Sequence, residues 1–271
     1  YYMRPPRIKP PGAIHHVIDN LGSKEFWLKG IEKKAYLDIM HRVADFLQIK
    51  IVGFSLMDNH IHAVVSVPLV IELTDEELLE ALKQYKGEKN QETRAFAKAM
   101  EFGGANLDML RTKYTKRMGD ISEFKKSHKH IYTKWYNGRK KRRGTVYGER
   151  FTNLVVENSR FALQTVCAYI DLNPVRAAMV SDPKDYPFCS YTAALMGDQR
   201  YQKSIMEIMG VGDWEQAAAA YRLLLMQSGH RKKVGKRGNI TRELLLKTIK
   251  EKGGLSQAEI LRVRNIHLSQ G

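Results

Sequence analysis

Alternation and helical periodicity break the chain into elements. After a Pro-rich lead, residues 13–20 read as a first strand. Ile31 to Leu47 read as an amphipathic helix, with Ile31, Ala35, Ile39, Val43 and Phe46 near helical spacing. Lys50 to Leu56 form a second strand, Met57-Asp58-Asn59 a turn, and the run from Asn59 to Val67 a third strand. On that strand Ile61, Ala63, Val65 and Val67 share one face, and His60, His62, Val64 and Ser66 the other. The apolar face has a core to join, so the two imidazoles are expected on the outer surface of a sheet.

Strand, helix, strand, strand is the opening of a ferredoxin-like α+β fold, an antiparallel sheet with helices on one face. Thr74 to Tyr85 is a helix with a Thr74/Glu77 capping box, and Lys86 to Gly104, extending to about residue 110, is polar and Gly-bearing like an insertion. Leu107 to Trp135 are expected to be mostly helical and basic. Gly144 to Glu157 fit a strand or hairpin. Arg160 to Leu172 form a helix striped by Leu163, Val166, Cys167 and Ile170, limited near Asn173 by Pro174. Beyond about Ala194 the chain changes to an all-helical extension, 196–271. It has helices at Gln202–Met209, Trp214–Gln227, Thr241–Lys252 and Ser256–Arg264. The last two, around Gly253-Gly254, fit a helix-turn-helix or a plain helical hairpin. The chain starts without an initiator Met and stops at Gly271 without a finishing element, so the natural protein is expected to run on.

Charge adds a partner class. Lys plus Arg is 45 against 29 Asp plus Glu, a net charge of +16. The excess gathers in three blocks, 125–130, 139–143 and 231–237. Such blocks attract polyanions, and Tyr132, Trp135, Tyr136 and Tyr147 around the middle block suggest stacking platforms for unpaired bases. No stretch has the length of a membrane span and no signal peptide is visible. With two unpaired-looking cysteines, Cys167 and Cys189, a cytoplasmic, nucleoid-associated setting is expected.

Two candidate chemistries stand out. Two neutral imidazoles on a rigid strand, His60 and His62, can hold a divalent metal that polarises a phosphate. Tyr169 and Asn173 share one helix face, which fits a reacting pair or simply a boundary tyrosine and a capping asparagine. His128 and His130 sit among lysines that repel a cation. His15 and His16 lie on the first strand, where one can neighbour such a metal, although a structural place is the simpler reading.

Five runs together carry a resemblance. Gly53-Phe54-Ser55-Leu56-Met57-Asp58-Asn59-His60-Ile61-His62-Ala63-Val64-Val65 resembles the His-hydrophobic-His motif of the single-tyrosine HUH transposases. Ala168-Tyr169-Ile170-Asp171-Leu172-Asn173-Pro174-Val175-Arg176-Ala177-Ala178-Met179-Val180 resembles the tyrosine motif of their REP-associated branch. Residues 131–139 and 144–151 are similar to that branch in order and spacing, as is 186–191, so the likeness runs from about Arg4 to Leu195. It implies a transposase domain over 1–195. His60, His62 and Asn173 would be ligands of Mg²⁺ or Mn²⁺, and Tyr169 the nucleophile. The reaction would be cleavage and rejoining of single-stranded DNA, at hairpin-flanked sites, through a 5′-phosphotyrosine. Tyr132, Trp135, Tyr136, Arg139, Lys140, Lys141, Arg142, Arg143, Arg150 and Arg176 are the candidates for gripping the strand. A homodimer exchanging the tyrosine helix and a monomer both stay open. The chain departs from the family pattern at Asp58, commonly proline, and at Ala178, commonly glycine. The competing reading is a non-catalytic DNA-binding protein or regulator on the same fold.

Overall fold

The computed structural model describes residues 10–22, 28–231, 235 and 237–269, with the side chains of 267–269 left aside. Residues 1–9 of the Pro-rich lead, Lys232, Lys233, Val234 and Lys236 of the third basic block, and Gly271 lie outside the described residues. Strands β1 (Ile14–Asn20), β2 (Lys50–Leu56), β3 (His60–Ser66) and β4 (Thr152–Val156) form one sheet in the order β2-β3-β1-β4. This is the ferredoxin-like α+β arrangement, and the second strand occupies the predicted residues.

Hydrogen bonds fix the register. Val67 N–H donates to Ala13 C=O at 2.9 Å and Leu21 N–H to Asn59 C=O at 3.1 Å, so paired residues of β1 and β3 sum to 80 and the strands run antiparallel. Met57 N–H donates to His60 C=O at 2.9 Å, which makes β2 and β3 a hairpin whose pairs sum to 117. His16 and Gly53 therefore both lie opposite Val64, and His16, Gly53, His60 and His62 share one face.

The described chain divides into two compact units. One comprises Tyr1–Ile14, Ala35–Ile51 and Ser66–Val146, the other His15–Lys34, Val52–Val65 and Tyr147–Gly271. The first holds most of α1 (Gly30–Phe46), and α2 (Asp75–Lys86), α3 (Gln91–Phe102), α4 (Ala105–Thr115) and α5 (Ile121–Lys140). The Thr74/Glu77 capping box forms as expected, satisfying two helix-end N–H groups. The segment read as a polar insertion contains α3, which buries Thr93, Phe96 and Ala99 along one side. Its exposed sides are charged, which masks a stripe of three residues in the sequence. Gly119, at φ 67°, ends the stretch expected to be one helical region and splits α4 from α5.

The second unit carries most of the sheet, α6 (Arg160–Asp171), α7 (Asn173–Arg176) and a 3-10 turn at Pro183–Asp185. It also holds α8 (Ser190–Leu195), α9 (Gln199–Met209), α10 (Trp214–His230), α11 (Arg242–Lys250) and α12 (Gln257–Ser269). Pro174 does not simply stop the tyrosine helix. It sits in the first turn of α7, where a missing N–H costs nothing. The expected boundary at 195 does not coincide with the division into units, because α10 packs on α6 as well as on α9 and α11. Arg222 of α10 is 1% exposed and holds Asp182 through Nη2 at 2.8 Å, while Tyr221 Oη donates to Asp171 at 2.8 Å. In the last helix pair Ser256 and Glu259 cap reciprocally, Val263 is buried, and Arg262 and Arg264 are exposed.

The two positions that differ from the resembled pattern have defined local settings. Asp58 accepts an ion pair at 2.6 Å from Lys33, which is 4% exposed and also reaches Tyr186 Oη at 2.9 Å. Burial lowers the Lys33 pKa, and the aspartate opposes that shift. A proline at 58 would leave the lysine without this carboxylate. Ala178 adopts φ 58°, the left-handed region that a glycine occupies at little cost.

Two stability outcomes follow from these contacts. Arg222→Ala leaves Asp182 only its ion pair with Lys184 at 2.8 Å and is expected to cost about 2–3 kcal/mol. Ala178→Gly relieves the left-handed strain and is expected to gain roughly 1 kcal/mol. Urea unfolding of the full chain measures both.

Candidate metal and tyrosine site

The histidine face of the sheet is not an outer surface. His62 is 5% exposed and Val64 fully buried, and β3 is covered on both faces along its middle. The expectation of two imidazoles on an outer face is corrected by α6, which lies on that face in the same unit. A Cβ on Gly53 would stand 3.3 Å from Ile170 Cδ1 and 3.0 Å from Ser190 Oγ, so a glycine admits the helix this close. Cys167, Ala168 and Ile170 are buried on α6, and Tyr169 beside them stays partly exposed.

Tyr169 thereby reaches the histidines. Its ring centroid is 5.9 Å from that of His62 and 6.1 Å from that of His16, edge-on to both. His60 and His62 are 5.1 Å apart, nearly perpendicular. Nδ1 of His60 lies 2.7 Å from Asn59 Oδ1, and Nδ1 of His62 lies 2.9 Å from His16 Nε2. Burial lowers the His16 pKa, favouring its neutral form. His15, on the opposite face of β1, is fully buried and keeps the structural place given to it.

Asn173 opens α7, one turn beyond Tyr169. It is 5% exposed, and its Nδ2 position is buried with no hydrogen-bond partner among the described residues. Amide O and N are assigned by their partners, so turning the amide puts an unpaired acceptor there. A buried carbonyl oxygen without a donor suits a cation. Among the described residues no group of three or more His, Cys, Asp or Glu is poised to hold a metal. A three-ligand site built on His60 and His62 would therefore take its third ligand from another residue type.

Arg176 has a different place from the strand contact expected of it. It is 6% exposed, its guanidinium carbon lies 5.0 Å from the Tyr169 ring centroid, and Nη1 donates to Tyr169 C=O at 3.1 Å. It clamps the tyrosine through ring and backbone. Residue spacing alone does not reveal this contact, because it depends on the turn from α6 into α7.

The basic aromatic stretch divides in two. Tyr132 is fully buried and Tyr136 is 4% exposed, so their rings are core and not stacking platforms. Tyr132 packs on Tyr36 at 5.0 Å and on His128 at 6.1 Å, and Tyr147 is buried as well. Apolar burial claims these rings because α5 turns its aromatic side inward. Trp135 stays partly exposed, stacked on Tyr132 at 5.7 Å. Arg139, Lys140, Lys141, Arg143 and Arg150 are exposed and Arg142 is half-buried.

No protein-family model matches the chain, and no curated protein matches it. Among solved structures it is similar to a REP-associated tyrosine transposase bound to a REP hairpin. That likeness has a TM-score of 0.44 and 14% identity over 72% of this chain and 86% of the other. No described helix is long and apolar enough to cross a membrane.

Burial separates two kinds of mutation on and just beyond α5. Tyr132→Ala is expected to cost about 3–5 kcal/mol of stability. Neutralising Arg139, Lys140, Lys141 and Arg143 together should leave stability within about 0.5 kcal/mol. The same charge change should flatten the salt dependence of oligonucleotide binding by up to about three in slope. Urea unfolding and binding titrations at several salt concentrations measure the contrast.

Proposed function

We propose that the protein is a metal-dependent, single-stranded DNA nuclease and strand transferase that uses Tyr169 as nucleophile. The observation that supports this most is the approach of Tyr169 to His62, ring centroids 5.9 Å apart, from motifs more than a hundred residues apart in the chain. The resemblance of these runs supplies the reaction class. His60, His62 and the Asn173 amide would hold Mg²⁺ or Mn²⁺. When bound, such an ion neutralises charge on a phosphodiester and makes it a better electrophile.

The chain's own groups account for the rest. Tyr169 Oη attacks phosphorus, the new O–P bond forms, and the bond to the 3′-oxygen breaks. The phenolic proton leaves to solvent and the departing 3′-oxygen takes one up. The products are a 5′-phosphotyrosine and a free 3′-hydroxyl. A 3′-hydroxyl attacking the same phosphorus reverses the step, so the joining reaction needs no ATP. Arg176 holds the tyrosine ring and brings positive charge to a site that must accept a phosphate. The exposed cations Arg139, Lys140, Lys141, Arg143 and Arg150 would track the strand backbone, and hairpins are the substrate form that the resemblance suggests.

The test is covalent trapping by the full chain of labelled single-stranded hairpins taken from repeats flanking its own gene, with Mn²⁺ or Mg²⁺. Denaturing gels should show a labelled protein band that requires the metal. Tyr169→Phe should abolish the band and His62→Ala should reduce it at least about a hundredfold, with binding changed by less than about threefold. A band that persists in Tyr169→Phe rejects the nucleophile. Tight hairpin binding with no band from any oligonucleotide set favours the non-catalytic reading.

A further inference from the structure

The hydrogen bond between His16 and His62 has only two polarities. Nδ1 of His62 and Nε2 of His16 are 2.9 Å apart, and both residues are buried. Neutral imidazole carries one N–H, so one of these nitrogens donates and the other accepts. If His16 donates, His62 accepts at Nδ1 and keeps its own proton on Nε2, which then cannot ligate a metal. If His62 donates, its Nε2 carries a lone pair, and His16 holds its proton on Nδ1.

We propose that His16 is a positioning residue that fixes His62 in the Nδ1–H tautomer and so dedicates Nε2 of His62 to the divalent cation. The inference rests on the metal reading given above. Three observations carry it. The first is His60, whose Nδ1 lies 2.7 Å from the side-chain oxygen of Asn59. With the Asn59 amide oxygen turned to the ring, as the structure has it, His60 donates from Nδ1 and has its lone pair on Nε2. Applied to His62, the same tautomer gives two imidazoles of matching polarity on one strand face. The second is the register: β1 and β3 pair to a sum of 80, which sets His16 on the face of His62 and diagonally beside it. The third is ring geometry. The two imidazoles lie 5.2 Å apart at an interplanar angle of 28°, held between β1, β3 and the edge of Tyr169. With its Nε2 engaged by His62, His16 belongs behind the ligand. Partners of this kind orient the ring and raise its basicity, and their loss commonly weakens metal binding 10–100-fold.

The experiment reads tautomer and affinity separately, on the full chain. Long-range proton–nitrogen correlation spectra of labelled, metal-free protein, assigned with His62→Gln, report which His62 nitrogen is protonated. Mn²⁺ titration followed by the paramagnetic resonance of free Mn²⁺ gives affinity for wild type, His16→Gln, His16→Leu and His62→Ala. Thermal unfolding confirms that each variant is folded. We expect the Nδ1–H form in wild type. His16→Gln, whose amide oxygen still accepts, should bind Mn²⁺ within about threefold of wild type. His16→Leu should bind about 10–100-fold more weakly and shift His62 toward Nε2–H. Three results overturn the proposal: an Nε2–H His62 in wild type, unchanged Mn²⁺ affinity in folded His16→Leu, or equal losses in folded Gln and Leu variants. An Nδ1–H His62 in a wild type that takes up no Mn²⁺, or Mn²⁺ uptake unaffected by His62→Ala, instead overturns the metal reading, and the role of His16 falls with it.

Discussion

The pairing of β1 with β3 is the constraint on which the site depends. Two hydrogen bonds at the ends of the pair, Val67 to Ala13 and Leu21 to Asn59, hold its antiparallel register. A slip of one residue would turn every side chain of one strand to the opposite face. His16 would then exchange places with His15 and the bond to His62 would vanish. The hydrophobic pattern resists such a slip, because Val17 and Ala63 are also buried on the other face and would be displaced with it. Packing on one side of the sheet thus sets imidazole geometry on the other.

The tyrosine is held by means of the same kind. Gly53 makes room for α6, and Asp171 on that helix accepts from Ser190 Oγ at 2.9 Å and Tyr221 Oη at 2.8 Å. Burial pushes the Asp171 pKa up to about 6 in spite of these donors. A buried carboxylate is costly unless its oxygens are satisfied, so the network tolerates few other positions for α6. Arg176 then fixes the side chain that the helix delivers. Tyr169 keeps partial exposure while the residues on either side of it, Ala168 and Ile170, are buried, which lets one rigid helix serve both the core and the candidate site.

What was legible in the sequence follows from range. Features decided within a few residues read directly: the strand at Lys50–Leu56, the caps at Thr74 and Ser256, the two-residue face of His60 and His62. Features decided by a distant partner did not. A strand with one polar face should show that face to water, yet α6, a hundred residues on, covers His62. Tyr132 looks like a stacking ring beside arginines, but Tyr36 and His128 enclose it. Arg176 looks like one more cation for DNA, and only the turn at Asn173 brings it back to Tyr169. The helix hidden at Gln91–Phe102 shows the same limit in reverse, since three buried residues among charges are too few to reveal a period.

The C-terminal helices are not an accessory to the candidate site. Tyr221 of α10 completes the satisfaction of Asp171, two residues from Tyr169. Farther on, the N–H groups of Arg237 and Gly238 donate to Arg176 C=O at 3.0 and 3.2 Å, and a Cβ at Gly238 would lie 2.2 Å from Val175 C=O. The arginine that clamps the tyrosine is therefore itself backed by the segment after α10. Removing residues beyond 195 would strip the tyrosine helix of two supports, so loss of cleavage in such a truncation would say nothing about DNA recognition. Point changes at exposed positions, such as Arg262 and Arg264 on α12, separate recognition from chemistry because they leave these supports in place.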